Sequence, residues 1–186
     1  RSPARWCLPC RLAADLRAMQ QWSQGGKTTS ICVSGGNDVA LCHDGVCSGG
    51  TCEYKVPAGG YGAHVSPCAS SSASCAYQLF ADVNNNDIYD PATELLSGGD
   101  KVLEPPVRTS ELRAYYVQNC DTPDTLFADI FFAAYTGSAS ITGSSSGCSV
   151  YGGFGTRREV ITFGPAVAGS TVQIIVHSGS GGIQEK

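Results

Sequence analysis

One stretch carries the most specific chemical pattern in the chain: Asp82-Val83-Asn84-Asn85-Asn86-Asp87-Ile88-Tyr89-Asp90, followed by Glu94. Oxygen side chains fall at alternate loop positions, and Ile88 offers a backbone carbonyl between Asn86 and Asp90. Hard cations are held by this kind of all-oxygen donor set. The expected ligands are Asp82, Asn84, Asn86, the Ile88 carbonyl and Asp90, with Glu94 as the closing carboxylate, and the expected ion is Ca²⁺. Asp87 stands where such loops place Gly, so it needs a left-handed backbone, which Asp tolerates better than most residues. Thr93 precedes the displaced carboxylate. Both departures predict a weak, extracellular-type site with Kd about 10⁻⁴–10⁻³ M. The alternative is an Asn/Asp-rich turn that needs no ion.

Ten cysteines are the next chemical signal: Cys7, Cys10, Cys32, Cys42, Cys47, Cys52, Cys68, Cys75, Cys120 and Cys148. An even count in a Gly/Ser-rich chain predicts disulfides and an oxidising compartment. Cys68–Cys75 and Cys120–Cys148 are the expected pairs, the first from its short Ala/Ser spacer, the second from elimination. Cys7-Leu8-Pro9-Cys10 has redox-dithiol spacing but lacks the preceding strand, so a structural role is expected. Arg11 stands where a haem-attachment motif requires His. Cys32, Cys42, Cys47 and Cys52 also admit a zinc reading, although their gaps exceed the usual knuckle.

Other chemistry finds little support. Gly143-Ser144-Ser145-Ser146-Gly147 matches a nucleophile-elbow pattern, but the Cys148-Ser149-Val150 that follows is not helical. His43, His64 and His177 lie in separate segments without ligand spacing, and each reads as a surface or satisfied core residue. No phosphate-binding Gly-rich loop occurs. With no convergent acid, base and nucleophile, the chain is expected not to be an enzyme. Its formal net charge of −4 over 186 residues argues against a nucleic-acid partner.

The elements that must position these residues form a simple series. Leu12, Leu16 and Met19 recur with helical spacing, and Gly25-Gly26 supplies a stop. Arg1, Arg5, Arg11 and Arg17 face only Asp15 in this segment, making a basic start. Residues 27–60 read as a Cys/Gly-rich loop region, and 138–147 as an exposed Ser/Gly loop. Strands are expected within 60–65, 76–81, 112–117, 126–135, 160–163 and 171–176. The run 126–135 is the most apolar, interrupted by Asp129. No run reaches the ~18 apolar residues of a membrane span. The expectation is one domain over 1–186: a helix over 1–24, the loop region, and a sheet over 61–186. The class is α+β, an N-terminal helix packed on an antiparallel β-sheet with disulfide-rich loops.

Several segments together resemble a known family. Leu12-Ala13-Ala14-Asp15-Leu16-Arg17-Ala18-Met19-Gln20 resembles the second half of the long helix of bacterial type IV pilins and type II secretion pseudopilins. Val56-Pro57-Ala58-Gly59-Gly60-Tyr61-Gly62 and the block 77–96 resemble phrases of one pseudopilin-like branch, and 160–163 and 171–176 resemble its terminal strands. The resemblance implies a pilin-like fold and a structural subunit of an extracellular pilus or pseudopilus. It implies partners too: copies of itself or related pilins in a helical filament, and inner-membrane assembly machinery reached through an apolar helix half upstream of Arg1. A secreted calcium-dependent adhesion module is the rival expectation.

Overall fold

A computed structural model describes residues 8–66, 75–103, 107–116, 125–145, 149–150, 156–165 and 172–186. The chain begins with helix α1 (Leu8–Gln24). Leu12, Ala13, Leu16 and Met19 are fully buried along one side of it. Past its end, Gly26 takes φ +61°. The Lys27 N–H then closes on the Trp22 carbonyl at 2.9 Å, capping the last turn.

Strands β1 (Thr29–Ser34), β2 (Asn37–Leu41) and β3 (Thr51–Lys55) form a first sheet, ordered β2-β1-β3. This region, expected to be loop, pairs because Ile31, Cys32 and Val33 have suitable partners on both sides. Gly35 and Gly36, both at positive φ, turn β1 into β2. Two disulfides staple the sheet: Cys32–Cys47 with Cα atoms 5.2 Å apart, and Cys42–Cys52 with 6.0 Å.

The second sheet contains β4 (Gly60–Val65), β5 (Cys75–Asp82), β6 (Leu95–Leu103), β8 (Thr125–Phe132), β9 (Ala139–Ser145) and β10 (Ser149–Val150), ordered β10-β9-β8-β4-β5-β6. The third contains β7 (Val107–Tyr116), β11 (Thr156–Pro165), β12 (Val172–His177) and β13 (Ile183–Glu185), ordered β13-β12-β11-β7. Every strand pair in the three sheets is antiparallel.

This architecture corrects the α+β expectation. The chain is mostly β, built from three antiparallel sheets, and the plan of one helical spine carrying one sheet does not describe it. α1 lies against strands of both the second and third sheets. The physical reason lies in pairing: segments weak in strand signal acquire backbone partners that the sequence does not reveal. Residues 138–147 show this. Ile141 lies opposite Ile130 and Ala139 opposite Phe132, so most of this Ser/Gly segment becomes β9 rather than an exposed loop. Among the described residues, no helix is long and apolar enough to cross a membrane.

Alternation divides the second sheet into two faces. Tyr61, Ala63, Val65, Tyr77, Leu79, Ala81, Ala128, Ile130, Phe132 and Ile141 join Leu12, Leu16, Met19, Ile174 and Val176 in the main core. Ser23 in α1 secures this layer, its Oγ accepting the Tyr61 N–H at 3.0 Å. Tyr77 donates its hydroxyl to Asp15 Oδ2 at 2.6 Å. The opposite face carries Phe80 and Phe131 in edge-to-face contact, with centroids 5.0 Å apart. It also carries an in-register polar row running Thr142, Asp129, His64, Gln78, Asp100 across β9-β8-β4-β5-β6.

Candidate metal centre

The Asn/Asp-rich segment connects β5 to β6. Its base is closed by the Ala81 N–H on the Glu94 carbonyl at 3.0 Å, and Glu94 N–H returns to the Asp90 carbonyl at 2.9 Å. Asp82 ends β5 and is completely buried, as is Glu94. Gly59 makes this burial possible: a Cβ there would sit 2.0 Å from Asp82 Oδ2. The Gly59 N–H also binds the Asp82 carbonyl at 2.9 Å.

The side-chain oxygens turn inward on the loop's own amides. Asp82 Oδ1 accepts the Asn86 N–H at 3.3 Å and Oδ2 accepts the Asp87 N–H at 3.2 Å. Asn84 Oδ1 accepts from Asn86 at 3.1 Å, Asn86 Oδ1 from Ile88 at 2.9 Å, and Asp90 Oδ1 from Ala92 at 2.9 Å. Asn85 and Asp87 sit at φ 56° and 55°, so the left-handed backbone expected at Asp87 is present. Glu94 Oε2 accepts the Asp90 N–H at 3.0 Å, while Oε1 is buried with no partner.

Among the described residues, the two acids have no counter-charge paired with them. Burial holds the Asp82 carboxyl above its usual range. Burial pushes Glu94 up to about 7, and the charges of Asp82 and then Asp90 push in the same direction. Among the described residues neither carboxylate forms an ion pair. The residues therefore fit a hard cation in donor chemistry, and Glu94 Oε1 is the oxygen that lacks a partner. Asp82, Asp90 and Glu94 do not converge within 4.8 Å of one another; among the described residues the acid or thiol trio that does is Cys32, Cys42 and Cys47. Those thiols are consumed in disulfides, so the zinc reading of the four cysteines is corrected. Cys7, Cys68, Cys120 and Cys148 lie outside the described residues. The expected pairs Cys68–Cys75 and Cys120–Cys148 fall there with them.

The loop also lays Tyr89 over the polar row of the second sheet. Its ring lies 5.0 Å from Phe80 and 5.0 Å from His64. Its N–H reaches Asp129 Oδ2 at 3.4 Å. Beneath it, His64 Nδ1 lies 2.6 Å from Asp129 Oδ1, and His64 Nε2 lies 3.1 Å from Ser66 Oγ. Sequence reasoning treated His64 as isolated and missed this Asp129–His64–Ser66 set. Two signals pointed to it: the lone Asp129 within an apolar run, and the two-residue step from His64 to Ser66 that places both on one strand face.

The fold and site define a disulfide-stapled β protein with a buried-acid, Asx-rich loop. Compared with known proteins, the chain matches no family model, no curated protein and no solved structure.

Proposed function

We propose that the chain is a structural subunit of an extracellular filament, stabilised by one Ca²⁺ in the loop 82–94. The observation that carries the ion is the buried, unpartnered Glu94 Oε1 beside buried Asp82, neither acid forming an ion pair among the described residues. Asp82, Asn84, Asn86, the Ile88 carbonyl, Asp90 and Glu94 would hold it. An all-oxygen set with amide and carbonyl donors suits Ca²⁺ better than zinc. The ion supplies the positive charge the two acids lack and ties β5 to β6. Disulfides and millimolar Ca²⁺ both belong to an extracellular setting. Filament assembly is supported by the resemblance at 77–96 and by the exposed positions Arg11, Ala14 and Gln21 on α1, available to neighbouring copies.

Calorimetric titration and thermal melting with CaCl₂ or EDTA test the ion. Ten millimolar Ca²⁺ should add about 1–3 kcal/mol of stability for the expected Kd range. Asp82→Ala should abolish that gain. Neither heat nor a shift at millimolar Ca²⁺ leaves an Asn-rich turn. Immunoelectron microscopy of producing cells tests the assembly, and antibody decoration of filaments is the expected result. A calcium-dependent adhesion module is the second reading, favoured by exposed Tyr54 on β3 and exposed Val46 in the β2–β3 connection. Diffuse surface labelling without filaments would favour it.

A further inference from the structure

We propose that Ser66 is an activated nucleophile toward small carboxylic esters, with His64 as its general base and Asp129 as the residue that positions His64. The relay is set by strand register. His64 on β4 lies directly opposite Asp129 on β8, and Ser66 stands two residues after His64, just past the end of β4. A carboxylate only accepts, so the 2.6 Å contact places the imidazole proton on Nδ1. In the neutral imidazole Nε2 is then the lone-pair nitrogen, placed 3.1 Å from Ser66 Oγ to accept its hydroxyl. Nucleophile, base and orienting acid within hydrogen-bond reach define this chemistry by geometry rather than chain order.

Exposure is graded in the direction the reaction needs. The Asp129 side chain is 2% exposed and that of His64 is 20% exposed. Ser66 is half-buried at the end of the strand. Asp129 is therefore shielded from water, and Ser66 keeps partial exposure. The Tyr89 ring packs against His64 from one side, with centroids 5.0 Å apart, and limits how far the imidazole can turn.

In the acylation step a bond forms from Ser66 Oγ to the ester carbonyl carbon. The Oγ proton passes to His64 Nε2, the carbon–alkoxy bond breaks, and the departing alkoxide takes that proton and leaves as the alcohol. Water, deprotonated by the same nitrogen, releases the carboxylic acid and restores Ser66.

A fluorophosphonate probe tests the nucleophile directly, because attack displaces fluoride and leaves a stable phosphonyl-serine. Intact mass and peptide mapping of the full chain should find one adduct, on Ser66. Ser66→Ala, which removes one half-buried oxygen, should lose it. His64→Ala should label ~10²–10⁴-fold more slowly. Added imidazole should restore part of the rate, a rescue that a merely structural histidine would not show. Asp129→Asn should slow labelling while near-UV circular dichroism stays unchanged. The assay is run both in CaCl₂ and in EDTA, and labelling of Ser66 in either supports the proposal whatever the loop binds. Wild-type protein that labels no faster than Ser66→Ala in both buffers overturns it, as does an adduct on another serine.

Discussion

Glu94 is the residue on which the loop's energetics turn. One of its oxygens is bonded to the Asp90 amide and the other has no partner, although both are buried. Leaving such a group unsatisfied costs roughly 1–3 kcal/mol, more when charged. Glu94→Gln removes the charge and supplies a donor, so in EDTA its melting temperature should equal or exceed wild type. In CaCl₂ the same variant should lose the ion-dependent gain, and differential scanning calorimetry in the two buffers separates the effects. Gly59 sets a steric condition on the same pair. Gly59→Ala would drive a methyl group into Asp82, and overpacking of this kind costs about 1–3 kcal/mol. Urea unfolding in EDTA should show that loss, because it does not depend on an ion.

At the scale of elements, the first sheet depends on its staples. β1–β3 carry mostly half-exposed side chains, with Ile31, Cys32 and Leu41 as their buried members. A three-stranded sheet with so little buried apolar surface is marginal alone. The Cys32–Cys47 bridge closes a separation of 15 residues, worth about 3 kcal/mol in the chain-entropy model. Replacing both cysteines by Ser should lower the unfolding free energy by about 2–4 kcal/mol. Amide hydrogen exchange should locate the loss in β1–β3 first, with β4 and β8 protected. Uniform loss across all sheets would show that Ile31 and Leu41 tie the first sheet to the main core tightly enough for both to unfold together.

At the scale of the whole molecule, α1 and all three sheets share one apolar core, the first sheet through Ile31 and Leu41, and Leu16 lies fully buried within it. Leu16→Ala should cost about 2–5 kcal/mol, read from the chemical-denaturation midpoint. The core also contains phenols. Burial pushes Tyr61 up to about 12 from an ordinary value of 10 and raises Tyr77 as well, the latter helped by its bond to Asp15. A folded-state value above the unfolded one means the folded chain keeps protons that the unfolded chain releases. The associated stability is complete below pH 10 and is lost as pH rises toward 12. Ultraviolet titration should therefore show tyrosinate appearing together with unfolding, and Tyr77→Phe should weaken that alkaline transition.

What the sequence determined by itself was local. The Leu12/Leu16/Met19 spacing and the Gly25-Gly26 stop specify α1, because helix hydrogen bonds and caps are made within a few residues. The Asx pattern of 82–94 specifies a tight loop with a left-handed Asp87, because Asn and Asp bond amides two to five residues away. Tertiary structure decided the rest. Strand partners lie far along the chain, so the division into three sheets and the conversion of 139–145 into β9 depend on pairing that local propensity does not encode. The same holds for chemistry. Asp129 stands 65 residues from His64 and meets it only because β8 and β4 pair in that register. A one-residue slip of β8 against β4 would send Asp129 to the other face, away from His64, where the apolar core excludes an unpaired charge.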